Sequence, residues 1–115
     1  MKGATAMIEG LWIVQFHGPH GVGGGVVVLT ANRILGGDSA YVYSGSYELK
    51  GDAFKGNAII KNFDPAIGNV LGIPGDFALI IEGTIDGNEI TGTGALAKAP
   101  ESKIVVRLKK EADLS

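Results

Sequence analysis

From Ile8 onward the apolar positions recur with a period near two, and no useful stretch keeps a period near 3.6. This alternation predicts strands, broken wherever glycine, proline, asparagine or aspartate supplies turn chemistry. A first strand runs from Ile8 to His17 and is ended by Gly18-Pro19-His20-Gly21. The next spans Val22 to Thr30, and Ala31-Asn32 turns tightly into a short strand at Arg33 to Leu35. Gly36-Gly37-Asp38-Ser39 separates that strand from Ala40 to Leu49, and Lys50-Gly51-Asp52 forms a hairpin loop into Ala53 to Phe63. Phe77 to Ile85 and Glu89 to Ala97 flank Asp86-Gly87-Asn88, the strongest hairpin signal in the chain. A turn over Lys98 to Ser102 and a strand over Lys103 to Lys109 complete eight.

Eight short strands joined in order by tight turns make a meander. Closing it into an antiparallel up-and-down barrel removes both exposed edges. Glycines at Gly23, Gly24, Gly25, Gly45, Gly56, Gly83, Gly92 and Gly94 suit the bends of a small barrel. A two-sheet sandwich would use the same strands, so the barrel is the expectation and the sandwich its alternative. The one long connection, 64–75, carries two prolines and three glycines, and such loops in compact domains serve function or motion. Its most helix-like part, Pro65 to Leu71, is expected to hold no more than a short 3₁₀ turn.

The expected inward face collects Trp12, Val14, Phe16, Tyr41, Tyr43, Tyr47, Phe54, Ile60, Phe77, Leu79, Ile81, Ile90, Leu96, Ile104, Val106 and Leu108. An eight-stranded barrel is either just filled by its side chains or wide enough for one small ligand. If it holds a pocket, the candidate ligand-binding residues are Trp12, Val14, Phe16, Tyr41, Tyr43, Tyr47, Phe54, Phe77, Leu79, Ile81 and Leu96. The opposite face of the first two strands is also apolar, at Leu11, Ile13, Val26 and Val28. A solvated outer face is normally polar, so these four are candidates for a homodimer contact, unless another part of the chain covers them.

Length and composition narrow the picture further. The 115 residues suit a single domain over 1–115, with residues 1 to 6 as a mobile leader if Met7 is the natural start. There are no cysteines, which removes disulfides, thiolate metal sites and a cysteine nucleophile. A net charge of −2 offers no basic footprint for nucleic acid or anionic membrane. No apolar run reaches the roughly 18 residues of a membrane-spanning helix, and no secretory signal opens the chain. A cytoplasmic protein follows as the expectation.

The candidate motifs for chemistry are sparse. His17 and His20 flank Gly18-Pro19, but a zinc site needs three or four ligands, and no further histidine or cysteine exists. Gly21 to Gly25 lacks the Gly-Lys-Ser/Thr that completes a phosphate loop. Gly37-Asp38-Ser39 resembles one esterase nucleophile block, but that chemistry needs a histidine base beside the serine, and both histidines sit on another turn. Asp76, Glu82, Asp86 and Glu89 fall on the wet face or in a hairpin, where desolvation does not tune a carboxyl group. The expectation is a binding protein with no catalytic residues, no metal and no cofactor.

Gly10-Leu11-Trp12 resembles the Gly-x-Trp signature of the lipocalin and calycin group, whose tryptophan closes one barrel end against a basic residue of the last strand. Arg107 is the candidate for that residue. With the strand order in place, three features resemble the GrlR family of type III secretion negative regulators. They are Gly10-Leu11-Trp12-Ile13-Val14-Gln15-Phe16, the glycine-rich second strand, and Ile34-Leu35-Gly36-Gly37-Asp38-Ser39-Ala40-Tyr41-Val42-Tyr43-Ser44-Gly45. The likeness continues through Asn62-Phe63-Asp64 into the Phe77 strand. It implies a dimeric lipocalin-like barrel with an apolar cavity suited to lipid, and repression by sequestering an activator protein. The family's acidic run after the fourth strand is not matched, because Glu48-Leu49-Lys50-Gly51-Asp52-Ala53 interrupts it with lysine and alanine. A carrier of small hydrophobic molecules is the alternative function.

Overall fold

A computed structural model of the chain describes residues 8–67, 69 and 71–114. The expected leader therefore lies outside the described residues. Eight strands follow in order: β1 Gly10–Gly18, β2 Gly21–Thr30, β3 Arg33–Gly37, β4 Tyr41–Lys50, β5 Ala53–Asn62, β6 Phe77–Asp86, β7 Glu89–Leu96 and β8 Ala99–Asp113. Each strand pairs antiparallel with its neighbour in sequence, and β1 pairs with β8, so the sheet closes on itself. The barrel holds and the sandwich does not.

The alternation in the sequence becomes the inside and outside of this barrel. In β5, Phe54, Gly56, Ala58 and Ile60 are buried while Lys55, Asn57, Ile59 and Lys61 are exposed. Closure brings neighbouring backbones close at glycines: a Cβ on Gly45 would run into the Asn57 carbonyl, and one on Gly92 into that of Glu82. At the β2–β3 turn Ala31 and Asn32 both have positive φ, 49° and 64°, as the two central residues of a type I′ hairpin require. The Asn32 side chain donates to the Tyr47 carbonyl at 3.2 Å, which ties that turn to β4.

One end of the barrel is sealed. Trp12 is fully buried there, and its indole N–H donates to the Ile8 carbonyl at 2.8 Å. Tyr47 stacks on Phe54 with ring centroids 5.3 Å apart, and Leu29 and Ile90 are likewise fully buried. The core also takes Ile8, Val27, Leu29, Ile34, Ala40 and Ala58, which the expected inward set omitted.

Three expectations need correction. Strand limits shift by one or two residues at several ends, with β1 starting at Gly10 and β3 reaching Gly37, and β8 runs four residues past the expected end, to Asp113. The turn expected over 98–102 is a tight turn at Ala97-Lys98 followed by an irregularity: β7 pairs Leu96 with Ala99 and then Ala95 with Lys103. Pro100-Glu101-Ser102 are thus strand residues left out of that ladder, where proline's missing N–H costs nothing. The basic residue opposite Trp12 is Lys110, not Arg107. From Trp12 onward the β1–β8 ladder runs in one register, so Arg107 pairs with Gln15 on the exposed face, and the irregularity between Leu11 and Trp12 lies beyond Lys110. The Lys110 side chain is nearly buried and bridges to Asp113 at 2.5 Å.

Candidate functional site

The other end of the barrel is open. Strand alternation brings the β1–β2, β3–β4, β5–β6 and β7–β8 connections to that end, and three of them reach inward: β1–β2 with His20, β3–β4 with Asp38 to Ala40, and the long β5–β6 connection between Asn62 and Phe77. Together they surround a cavity of about 770 Å³, within the range of small-molecule sites. Its floor is apolar, with Phe16, Ile60, Phe77, Leu79 and Ile104. On the β2 side Gly23 and Gly24 contribute only backbone, which keeps that wall low.

The polar groups converge around Asp38. Its Oδ1 accepts the backbone N–H groups of Ala40 and Tyr41 at 2.8 and 2.9 Å, and its Oδ2 accepts the Tyr43 hydroxyl. Burial first, and then the hydrogen bond to Asp38 and its negative charge, hold the Tyr43 phenol protonated far above the ordinary range. Gly25 makes room for this pair, since a Cβ there would lie 2.8 Å from the Tyr43 hydroxyl and 3.2 Å from the Asp38 Cβ. The aromatic rings stand in two edge-to-face pairs, Phe16 with Tyr43 and Tyr41 with Phe77, each with centroids 6.0 Å apart.

The β5–β6 connection is fastened across the mouth. The Asn69 side-chain amide donates to the Tyr41 hydroxyl at 3.0 Å and to the Ile73 carbonyl at 2.5 Å, while its oxygen accepts the Leu71 N–H at 2.9 Å. At the loop's ends, Asn62 donates through its side chain to the Ala40 and Asp64 carbonyls, both at 3.2 Å, and through its backbone to Asp76 at 2.8 Å. Gly72, with φ of 70°, meets the His20 ring so closely that a Cβ would sit 2.5 Å from Nε2. As expected, nothing longer than a single turn forms among the described residues of this connection: the Ile67 N–H donates to the Asp64 carbonyl and the Gly72 N–H to that of Asn69.

Of the expected ligand-binding residues, Phe16, Tyr41, Tyr43, Phe77 and Leu79 line this cavity. Val14, Phe54 and Ile81 line only a separate apolar void of about 40 Å³ in mid-barrel, too small for a ligand. Trp12, Tyr47 and Leu96 line neither and pack in or against the core. Sequence reasoning missed Asp38, Asn69 and His20 as lining residues; Asp38 could have been found from its place between the paired glycines and the Tyr-Val-Tyr alternation. Leu11, Ile13, Val26 and Val28 lie on the outer face, where Leu11 pairs with Val28 and Ile13 with Val26. Leu35 extends that row beside Val28.

The two turns that looked remote in sequence meet at the mouth, so His20, Asp38 and Ser39 share one cavity. No hydrogen bond among the described residues joins His20 to either, and the Asp38 carboxylate orients Tyr43 instead. His17 sits exposed on β1. No group of three or more His, Asp or Glu among the described residues is placed to hold a metal ion. Nor is any helix among them long and apolar enough to cross a membrane. No protein-family model matches the chain, and no curated protein matches it.

Proposed function

We propose that this chain is a non-enzymatic binding protein that holds a small, largely apolar molecule in the open end of its barrel, with 63–76 as a strap over the mouth. The observation that carries this reading is the cavity itself. A sealed end dense with Trp12, Tyr47 and Leu29 opposes an end where about 770 Å³ is walled by aromatic and aliphatic side chains. Preformed concave sites with few convergent polar groups are the usual form of small-molecule sites. Native mass spectrometry of the purified protein tests it. A co-purified small molecule, or saturable uptake of the neutral dye Nile red, is the expected result; failure of both overturns the reading.

A second reading, a cytoplasmic regulator that dimerises and acts through protein contacts as the GrlR-family likeness implies, draws on the outer face. Leu11, Val28 and Leu35 lie side by side across three strands, and Ile13 and Val26 above them are 39% and 47% exposed. Such a row favours cover by a second copy. Sedimentation equilibrium at micromolar concentration is expected to give a dimer that Val26→Lys dissociates. A monomer of the unmodified protein removes this reading and leaves the first intact.

A further inference from the structure

We infer that the mouth cavity is a site for an amine-bearing apolar molecule, an arylalkyl- or alkylammonium ion, seated with its ammonium group against Asp38 and the surrounding rings. This rests on the binding reading above and adds the class of ligand.

The charge of the lining is the first argument. Among the described residues that wall the cavity, Asp38 is the one carboxylate, and no lysine or arginine accompanies it. Its three partners are two backbone amides and a phenol, all neutral donors, and no ion pair among the described residues engages it. A carboxylate offers roughly four acceptor positions, so one is left for a ligand. The Tyr43 phenol keeps its proton through the neutral range, so it continues to donate to Asp38 and adds no second negative charge.

The second argument is independent and comes from the rings. Phe16, Tyr43, Tyr41 and Phe77 all line the same mouth, in two edge-to-face pairs. In a T-shaped pair one ring leaves its electron-rich face free, and aromatic faces around one carboxylate are the chemistry that recognises ammonium ions. The same arrangement disfavours fatty acids and anionic phospholipids. Their head groups would face Asp38 with no cation in the lining, and His20 is the one lining group able to acquire positive charge.

Three probes of one shape test this by isothermal titration calorimetry on the whole chain at pH 7.5: 4-phenylbutylamine, 4-phenylbutanol and 4-phenylbutyrate. The amine is expected to bind about 10-fold more tightly than the alcohol, and the butyrate more weakly than the alcohol. Asp38→Asn keeps acceptors for the turn amides and is expected to abolish the preference for the amine while leaving alcohol binding in place. Should that variant fail to fold, the ranking of the three probes on the unmodified protein decides alone. Equal binding of amine and alcohol, or a preference for the butyrate, overturns the inference and leaves the cavity reading standing. No binding by any of the three overturns the inference, and the cavity reading falls with it only where no small molecule co-purifies and Nile red is not taken up.

Discussion

Gly25→Ala isolates the packing that shapes the mouth, and Gly24→Ala supplies its control. Both glycines lie in β2, and both replacements remove the same backbone freedom from the unfolded chain, worth about 0.5–1 kcal/mol in favour of alanine. They differ in what the new methyl meets. At position 24 it finds only the Val14 carbonyl at 3.3 Å. At position 25 it lies 2.7 Å from the Gly37 carbonyl, 2.8 Å from the Tyr43 hydroxyl and 3.2 Å from the Asp38 Cβ. Overpacking of this kind costs about 1–3 kcal/mol, and loosening a hydrogen bond to a carboxylate adds a further ~1–2 kcal/mol. Gly25→Ala is therefore expected to be less stable than Gly24→Ala by about 2–5 kcal/mol, or on the order of 10 °C in Tm for a chain of this size. Thermal unfolding followed by far-UV circular dichroism reads the difference directly. Equal melting temperatures for the two variants would refute the placement of Tyr43 and Asp38 against β2.

Tyrosine ionisation gives a pH test. The phenols of Tyr43 and Tyr47 are both raised, chiefly by burial, so the folded state keeps protons that the unfolded chain releases near pH 10.0. Stability is full below that pH and falls as pH rises above it, and Tyr43→Phe is expected to flatten the alkaline decline in Tm. The single tryptophan is fully buried, so its emission is expected to be blue-shifted and resistant to iodide until the protein unfolds, and Trp12→Phe to cost about 2–3 kcal/mol by chemical denaturation. Ala31→Asn places a residue tolerant of positive φ at the strained position of the β2–β3 turn and is expected to raise stability by about 0.5–1 kcal/mol. Lys110→Ala is expected to destabilise by about 1 kcal/mol or more, while Arg107→Ala stays within about 0.5 kcal/mol.

The barrel was legible because its signals are local: period-two alternation, Asp86-Gly87 and Ala31-Asn32 at turns, and glycines where strands bend. What escaped was long-range. The pairing of Lys110 with Trp12 depends on the register in which the first and last strands meet, although alternation through Ile104, Val106 and Leu108 already puts Lys110 on the inner face and Arg107 on the outer one. The mouth was half visible. Phe16, Tyr41, Tyr43, Phe77 and Leu79 followed from alternation, whereas His20 and Asn69 reach the cavity from connections whose course is set by contacts, His20 against Gly72 and Asn69 on Tyr41. Asp38 was read as a turn residue, which it is, since it accepts two turn amides. Its second oxygen serves the cavity through Tyr43.

The most direct test of the central claim is a two-dimensional ¹H–¹⁵N NMR titration of the chain with Nile red. Binding in the open end predicts shifts confined to amides at Ser39, Tyr41, Asn69, Gly72 and Phe77, with those of Trp12, Leu29 and Ile90 at the sealed end unmoved. Shifts centred instead on Leu11, Ile13, Val26 and Val28, or no shifts at all, would contradict it.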